Sequence, residues 1–134
     1  MSKEPVEVIH QGWDAWLQGD LPRLFGLCDA DIVWDTSHFR DWPESAYHGT
    51  AGVERFLNEW LAVWDDYEMQ LDDVFAAPDG RVVSLIHHRG KGQTSGLGLD
   101  MEMAQIATVC DGKITRLDNY DDRRQALEAV GHAE

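Results

Sequence analysis

The sequence predicts one α+β domain over residues 1–134, a cone in which three main helices pack on a strongly bent antiparallel sheet. Two observations predict this class. Apolar residues recur at helical spacing in residues 6–28 and 53–64, whereas strand patterns separated by turn signals occupy residues 67–120. A bent sheet closed by a helix leaves a cavity at its wide end, where a small-molecule site would form.

The elements are expected in the order helix, helix, short strand pair, helix, long strands and a last helix. Pro5 lies in the opening turn of the first helix, where its missing N–H costs little, and Asp20 caps the second. Thr50 is expected to cap the third helix, and Gly131 to end the last. The third helix carries a wide apolar stripe that should press into a curved sheet. The stripe comprises Val53, Phe56, Leu57, Trp60, Leu61 and Trp64.

Charge and hydropathy exclude several classes of function. The chain has 25 acidic and 11 basic residues, a formal net charge of −14, and would repel a phosphate backbone, so we expect no nucleic-acid partner. No apolar run approaches the length of about 20 residues that a membrane span needs, so we expect no membrane partner. The N-terminus has no signal-peptide core, which predicts a cytoplasmic location.

Metal and disulfide sites are not predicted. Cys28 and Cys110 lie far apart in apolar-patterned segments without CxxC spacing and are interpreted as buried thiols. The histidines and aspartates of the stretch "IVWDTSHFRDWPESAYHG" at positions 32–49 match no compact ligand pattern. These four residues are Asp35, His38, Asp41 and His48. We therefore expect no metal and no cofactor.

Strand parity identifies a candidate cavity wall. The turn "CDGK" predicts a three-residue hairpin in which Val109 pairs with Lys113, so that Gln105 lies across from Leu117. The side chains on this face are Met101, Met103, Gln105, Leu117 and Asn119. Thioethers and two amides suit an apolar ligand that carries a carbonyl or hydroxyl group. The alternative is that the methionines are only core.

Large aromatic side chains are expected to meet this wall from the helices and the first strand. They are Trp16, Trp34, Phe56 and Trp60. Each ring buries about 150–250 Å² and could contact a ligand or serve only as core.

The same stretch supplies the candidate catalytic residues. His38 follows the first strand, at the expected mouth of the cavity, where an imidazole could move a proton. Asp35 could orient or polarise it. The alternative is a solvated loop histidine at position 38, and His48 is interpreted as structural. His87 and His88 are adjacent on a strand and face opposite sides, and periodicity does not decide which faces the cavity.

Four segments resemble the SnoaL-like branch of the nuclear-transport-factor-2-like superfamily. They read "LQGDLPRLFGLCDADIVWD", "YHGTAGVERFLNEW", "RVVSLIHHRGKGQTSGLGLDMEMAQIATVCDGKITRL" and "DRRQALEAVG". The resemblance implies relatives such as ketosteroid isomerase and polyketide cyclases. The isomerase base falls at Thr36, and its two oxyanion-hole groups fall near Gly12 and Gln105, so those chemical groups are missing here. The resemblance also implies a homodimer through the outer sheet face, to which Tyr120 could belong.

These inferences lead to one function and two alternatives. The chain is interpreted as a SnoaL-like protein whose cavity holds a small hydrophobic, oxygen-bearing ligand, as a cofactor-independent isomerase, cyclase or dehydratase would. The alternatives are a non-catalytic small-molecule binding protein and a dimeric interaction module. A perturbed histidine facing the cavity would favour the enzyme.

Overall fold

The computed structural model describes residues 4–39, 42, 44–92 and 98–131. The α+β class is confirmed, and this part of the chain forms six strands and four helices. The elements are α1 (Pro5–Leu17), α2 (Leu21–Gly26), β1 (Cys28–His38), β2 (Ala46–His48), α3 (Gly49–Ala62), β3 (Trp64–Ala76), β4 (Val82–Gly92), β5 (Gly98–Cys110), β6 (Lys113–Tyr120) and α4 (Arg123–Ala129). The cone shape stays a prediction.

The six strands form one sheet in the order β2-β1-β6-β5-β4-β3. Neighbouring strands are antiparallel except β1 and β6, which pair in parallel with Trp34 opposite Leu117. The expectation of a purely antiparallel sheet is therefore wrong at this pair. The reason is that no hairpin joins β1 to β6, so the five intervening elements and not a tight turn set their relative direction.

The two faces of the sheet are covered differently. Helices α1 and α3 pack on one face, where the larger core includes Val8, Val53 and Met103. The short α4 packs against β5 and β6, in a second core that contains Ile106 and Ala126. Side chains that alternate along β5 therefore enter two different cores. None of the helices in the described ranges is long and apolar enough to cross a membrane.

The helix starts only partly follow the predicted signals. Pro5 opens α1, and the carboxylate of Asp20 accepts from the backbone N–H of Arg23 at 3.2 Å, as predicted. The predicted cap at Thr50 is wrong, because α3 begins one residue earlier, at Gly49. Gly49 has a φ of 73°, which a glycine adopts without the steric penalty of a Cβ atom.

The β5–β6 hairpin differs from its predicted register. Asp111 and Gly112 both have positive φ and form a two-residue loop between paired Cys110 and Lys113. A bulge then shifts the pairing by one more residue, so Gln105 lies opposite Asn119 instead of Leu117. Because the total shift is two residues, every side chain keeps its predicted face.

The two cysteines are free thiols in different surroundings. Cys28 is buried, and desolvation raises its pKa to about 11 in spite of the Lys113 charge. Cys110 is exposed, because it comes directly before the hairpin loop, so the expectation that both thiols are buried is wrong for it.

We expect Gly49→Ala to destabilise the fold more than Gly112→Ala. Both glycines have a similar positive φ, 73° and 77°, which costs an alanine about 1–2 kcal/mol. At Gly49 the added Cβ would also lie 3.3 Å from the carbonyl oxygen of Ala30, whereas it meets nothing within 4 Å at Gly112. Urea unfolding of both variants measures the difference, and equal losses would show that the Ala30 contact relaxes freely.

Candidate active site

A cavity of about 90 Å³ lies between the helices α1 and α3 and the sheet. It is larger than one water molecule needs and smaller than an engineered cavity of about 150 Å³ that binds benzene. Eight of the nine predicted ligand-binding residues line it. They are Trp16, Trp34, Phe56, Trp60, Met103, Gln105, Leu117 and Asn119. Met101 does not line the cavity and is half-buried against the same larger core. Ligand contact by these residues stays a prediction.

Aromatic rings make up much of the cavity wall. Trp60 lies at the centre of this group and is only 7% exposed. Its ring stacks on Phe56 at 6.1 Å between centroids and lies 6.2 Å from Phe39 and 6.4 Å from Tyr67. The indole N–H of Trp13, another lining residue, donates to the Ser84 hydroxyl at 2.8 Å. The wall is therefore apolar and packed, with a small free volume between the rings.

Two buried amides form the polar part of the wall. The side-chain N–H₂ of Asn119 donates to the backbone carbonyls of Asp35 at 3.0 Å and Leu117 at 3.4 Å. Its Oδ1 atom accepts from the Nε2 atom of Gln105 at 2.9 Å. Because the two carbonyls can only accept, they fix the orientation of both amides. The Oε1 atom of Gln105 accepts none of the hydrogen bonds formed among the described residues.

His88 is the histidine that faces the cavity, a choice that periodicity left open. It is 7% exposed, lines the cavity and lies between Met69 and Met101 of the neighbouring strands. Burial, assisted by the charge of His87, lowers its pKa to about 4. The imidazole is therefore neutral at pH 7. Adjacent His87 faces the other way and binds Asp100.

Tyr67 fixes the proton on His88. Burial raises the pKa of the Tyr67 phenol to about 12, and Trp60 donates a hydrogen bond to the phenol oxygen. The phenol therefore keeps its proton and donates it to the Nδ1 atom of His88, with which it is in contact. The imidazole proton must then be on Nε2, which leaves an N–H donor on the other side of the ring.

The predicted catalytic pair lies outside the cavity. His38 is exposed, and its ring stacks on Tyr120 at 4.0 Å between centroids. Asp35 accepts from Arg116 at 3.0 Å and from the hydroxyl of Ser37 at 2.6 Å. Strand parity explains the placement of Asp35, which points away because its neighbour Trp34 points into the cavity. His38 has the parity of Trp34, but the pairing of β1 with β6 shifts register between Asp35 and His38, which places His38 opposite Tyr120. The acid–base role predicted for His38 and Asp35 therefore has no support from the geometry.

The segment between β1 and α3 is held against α3 by a chain of polar contacts. The indole N–H of Trp42 donates to the Tyr47 hydroxyl at 3.0 Å, which donates to Glu59 at 2.7 Å. Arg55 binds both carboxylate oxygens of Glu44 and lies 4.5 Å above the Tyr47 ring. These contacts position Trp42 beside the aromatic wall. Asp41, named with the metal candidates, lies outside the described residues.

Tyr67 is a site residue that the sequence did not indicate. It lies in the acidic run "WDDYE", where it resembles a surface residue. Its position beside His88 depends on the β3–β4 pairing, whose register shifts between Asp65 and Glu68. No local signal marks that shift. The sequence offered only a weak signal for Tyr67: the strand that pairs with β4 has an aromatic residue two positions before Met69.

This architecture defines a class: small α+β proteins in which helices and a mixed sheet border an apolar cavity. The model of the SnoaL-like domain matches residues 9–117, so this chain belongs to the SnoaL-like domain family. The predicted resemblance is thereby confirmed.

Individual proteins are similar to this chain in sequence or in fold. An uncharacterised protein of Mycobacterium tuberculosis strain H37Rv is 27% identical over 116 residues, which are 86% of each chain. An NTF2-like protein of unknown function from Burkholderia pseudomallei has a TM-score of 0.74 at 14% identity, over 96% of this chain and 98% of its own. A candidate polyketide cyclase from Xanthomonas campestris has a TM-score of 0.69 at 22% identity, over 95% and 96%. At these identities the structural matches establish the fold alone.

Proposed function

We propose that this protein is a cofactor-independent isomerase, cyclase or dehydratase that acts on a small hydrophobic, oxygen-bearing molecule in the cavity. The observation that carries the proposal is the neutral His88, held by Tyr67 so that its Nε2 carries the proton. A neutral imidazole in an apolar site can donate a hydrogen bond to a substrate oxygen and stabilise negative charge that develops there. We assign this role to His88 in place of His38.

The site and the family support this class of reaction. Reactions that enolise a ketone build charge on one oxygen atom and need a preorganised donor more than a cofactor. The cavity supplies such a donor among aromatic rings, and the α-proton would pass to a water molecule, for which the cavity has room. A structural neighbour from Xanthomonas is a candidate polyketide cyclase, which is in keeping with chemistry on a hydrophobic carbonyl compound.

A non-catalytic binding protein is the second candidate. The described residues that line the cavity include no aspartate, glutamate, lysine or arginine. A proton-transfer enzyme of the usual kind has a carboxylate base at this place. The lack of one among these residues favours binding of an uncharged molecule without turnover.

Two further expectations from the sequence stay proposals. A homodimer would use the outer face of the sheet, but Tyr120 is 7% exposed and packs in the core beneath α4, so it is not available to such a surface. The cytoplasmic location likewise rests on the sequence. Sedimentation velocity of the purified protein tests the dimer directly.

We expect His88→Gln to lower catalysed proton exchange by about 10²–10³-fold, the usual effect of removing an oxyanion donor. The assay is solvent deuterium incorporation into the methyl groups of acetone, a ketone small enough for a cavity of about 90 Å³, followed by proton NMR. Glutamine can still accept the Tyr67 hydrogen bond, so the fold should persist. The matched control is His38→Gln, which removes an exposed histidine and should keep the wild-type rate. Exchange at wild-type rate in His88→Gln would contradict the assignment, and no catalysis by wild type would favour the binding protein.

A further inference from the structure

One buried side chain of the cavity wall keeps an unused hydrogen-bond acceptor. Gln105 lines the cavity and is 6% exposed. Its Nε2 atom donates to Asn119 at 2.9 Å, and the hydrogen bonds from Asn119 to the backbone carbonyls of Asp35 and Leu117 fix this direction. The Oε1 atom therefore lies on the side of the amide that faces away from Asn119. No residue within the described ranges donates a hydrogen bond to it.

The Gln105 oxygen is not sealed inside the protein. Among the described residues, the fully enclosed side-chain polar atoms that lack a partner are the indole nitrogens of Trp34 and Trp64. The Oε1 atom of Gln105 is not one of these, so it retains surface that a small molecule can reach. Because this side chain is buried and lines the cavity, that surface belongs to the cavity.

An acceptor in an apolar wall selects the group that lies against it. Water can donate to Gln105 while the cavity holds no ligand, because the cavity has room for a water molecule. A ligand that takes the place of this water loses affinity unless it restores the hydrogen bond. The ligand must therefore bring a donor to this position.

We infer that the ligand carries an uncharged N–H or O–H group, which donates to the Oε1 atom of Gln105. This inference rests on the proposed small-molecule function of the cavity and adds to it the group that the ligand carries at Gln105. The contact depends on one protein atom, whose orientation the Asn119 hydrogen bonds hold before the ligand arrives.

Other ligand groups fit the Gln105 oxygen less well. Ketone, ether and carboxylate oxygens only accept, so they oppose this oxygen and leave it unpaired. An ammonium group donates, but the described lining residues include no aspartate or glutamate that would offset the burial of its charge. An alcohol, a phenol, an enol or an uncharged N–H compound meets both conditions.

Pyrrole and furan test the inference, because both are flat five-membered rings smaller than benzene and differ in an N–H group against an ether oxygen. We expect wild type to bind pyrrole about two- to tenfold more tightly than furan, the net effect of one hydrogen bond. In proton–nitrogen NMR titrations, the side-chain amide signals of Gln105 should shift with pyrrole and change less with furan. Gln105→Met identifies those signals by their loss.

Two variants of β5 assign the preference to Gln105. Gln105→Met removes the oxygen and keeps a side chain of similar length, so the preference for pyrrole should vanish. Met103→Leu is the matched control, because it changes an apolar lining side chain on the same face of β5 and leaves the amide in place. It should keep the wild-type preference. The comparison on wild type needs no variant, so it stands even if Gln105→Met fails to fold.

The outcomes separate this inference from the proposed function. Equal affinity for pyrrole and furan, or a preference for pyrrole that persists in Gln105→Met, overturns the donor assignment and leaves the proposed function standing. An intact preference in a protein that exchanges no deuterium into acetone supports the inference and favours the non-catalytic binding protein. Binding of neither ring at millimolar concentration overturns the inference and the proposed function together.

Discussion

Replacing Trp60 by alanine is expected to lower the free energy of unfolding by about 3–5 kcal/mol, the range measured for large aromatic residues in cores. Trp60 is 7% exposed, and its ring contacts the rings of Phe56, Tyr67 and His88. These neighbours are held by the sheet and α3, so they cannot close the space completely. Urea unfolding followed by circular dichroism measures the loss.

Leu61→Ala is the matched control for this variant. Leu61 follows Trp60 on α3 but is 39% exposed, so we expect a loss below about 1 kcal/mol. Indole gives a second readout, because it should bind the space left in Trp60→Ala and raise its melting temperature while leaving wild type unchanged. A Trp60→Ala loss as small as that of Leu61→Ala would show that the aromatic wall is not a packed core.

Acidification is expected to destabilise the wild-type protein by about 3 kcal/mol through His88 alone. The pKa of His88 is lowered from 6.5 to about 4 in the fold, so between these values the unfolded chain binds more protons than the folded one. Above pH 6.5 His88 is neutral in both states and does not change the free energy of unfolding. As the pH falls from 6.5 to 4, the free energy of unfolding decreases, because the unfolded chain takes up the proton first. Below pH 4 this group adds no further change.

His88→Gln removes this component of the pH dependence. Carboxylates titrate in both proteins, so the quantity to measure is the difference in unfolding free energy between wild type and variant from pH 7 to pH 4. We expect wild type to lose about 3 kcal/mol relative to His88→Gln across this window. His10→Gln removes an exposed histidine from α1 and should follow wild type. Parallel curves for wild type and His88→Gln would show that His88 is accessible to solvent.

Features that depend on local sequence were largely predictable. The alternation along β5 and β6 placed Met103, Gln105, Leu117 and Asn119 on one face, and they lie together in the cavity wall. This prediction was correct although the predicted hairpin register was not, because a register error of two residues leaves every side chain on the same face of the strand. The start of α1 at Pro5 and the cap at Asp20 were likewise encoded within a few residues.

Features that depend on which surfaces meet were not predictable in the same way. The sequence could not choose between His87 and His88, because both strand faces carry apolar side chains and both are covered, one by α1 and α3 and the other by α4. It also favoured His38, which stacks on Tyr120 outside the cavity because β1 runs parallel to β6.

The sequence by itself determined the α+β class, the family and the set of side chains that share the cavity face, since periodicity and turn chemistry act over a few residues. Only the tertiary structure decided the chemistry of the site: it buried His88, placed Tyr67 on its Nδ1 atom and left the Oε1 atom of Gln105 without a hydrogen bond from the described residues. The physical reason is that desolvation and hydrogen-bond pairing depend on atoms brought together from distant strands. Those distances depend on a bulge in β3 and on the parallel pairing of β1 with β6. Neither feature can be predicted from a short stretch of sequence.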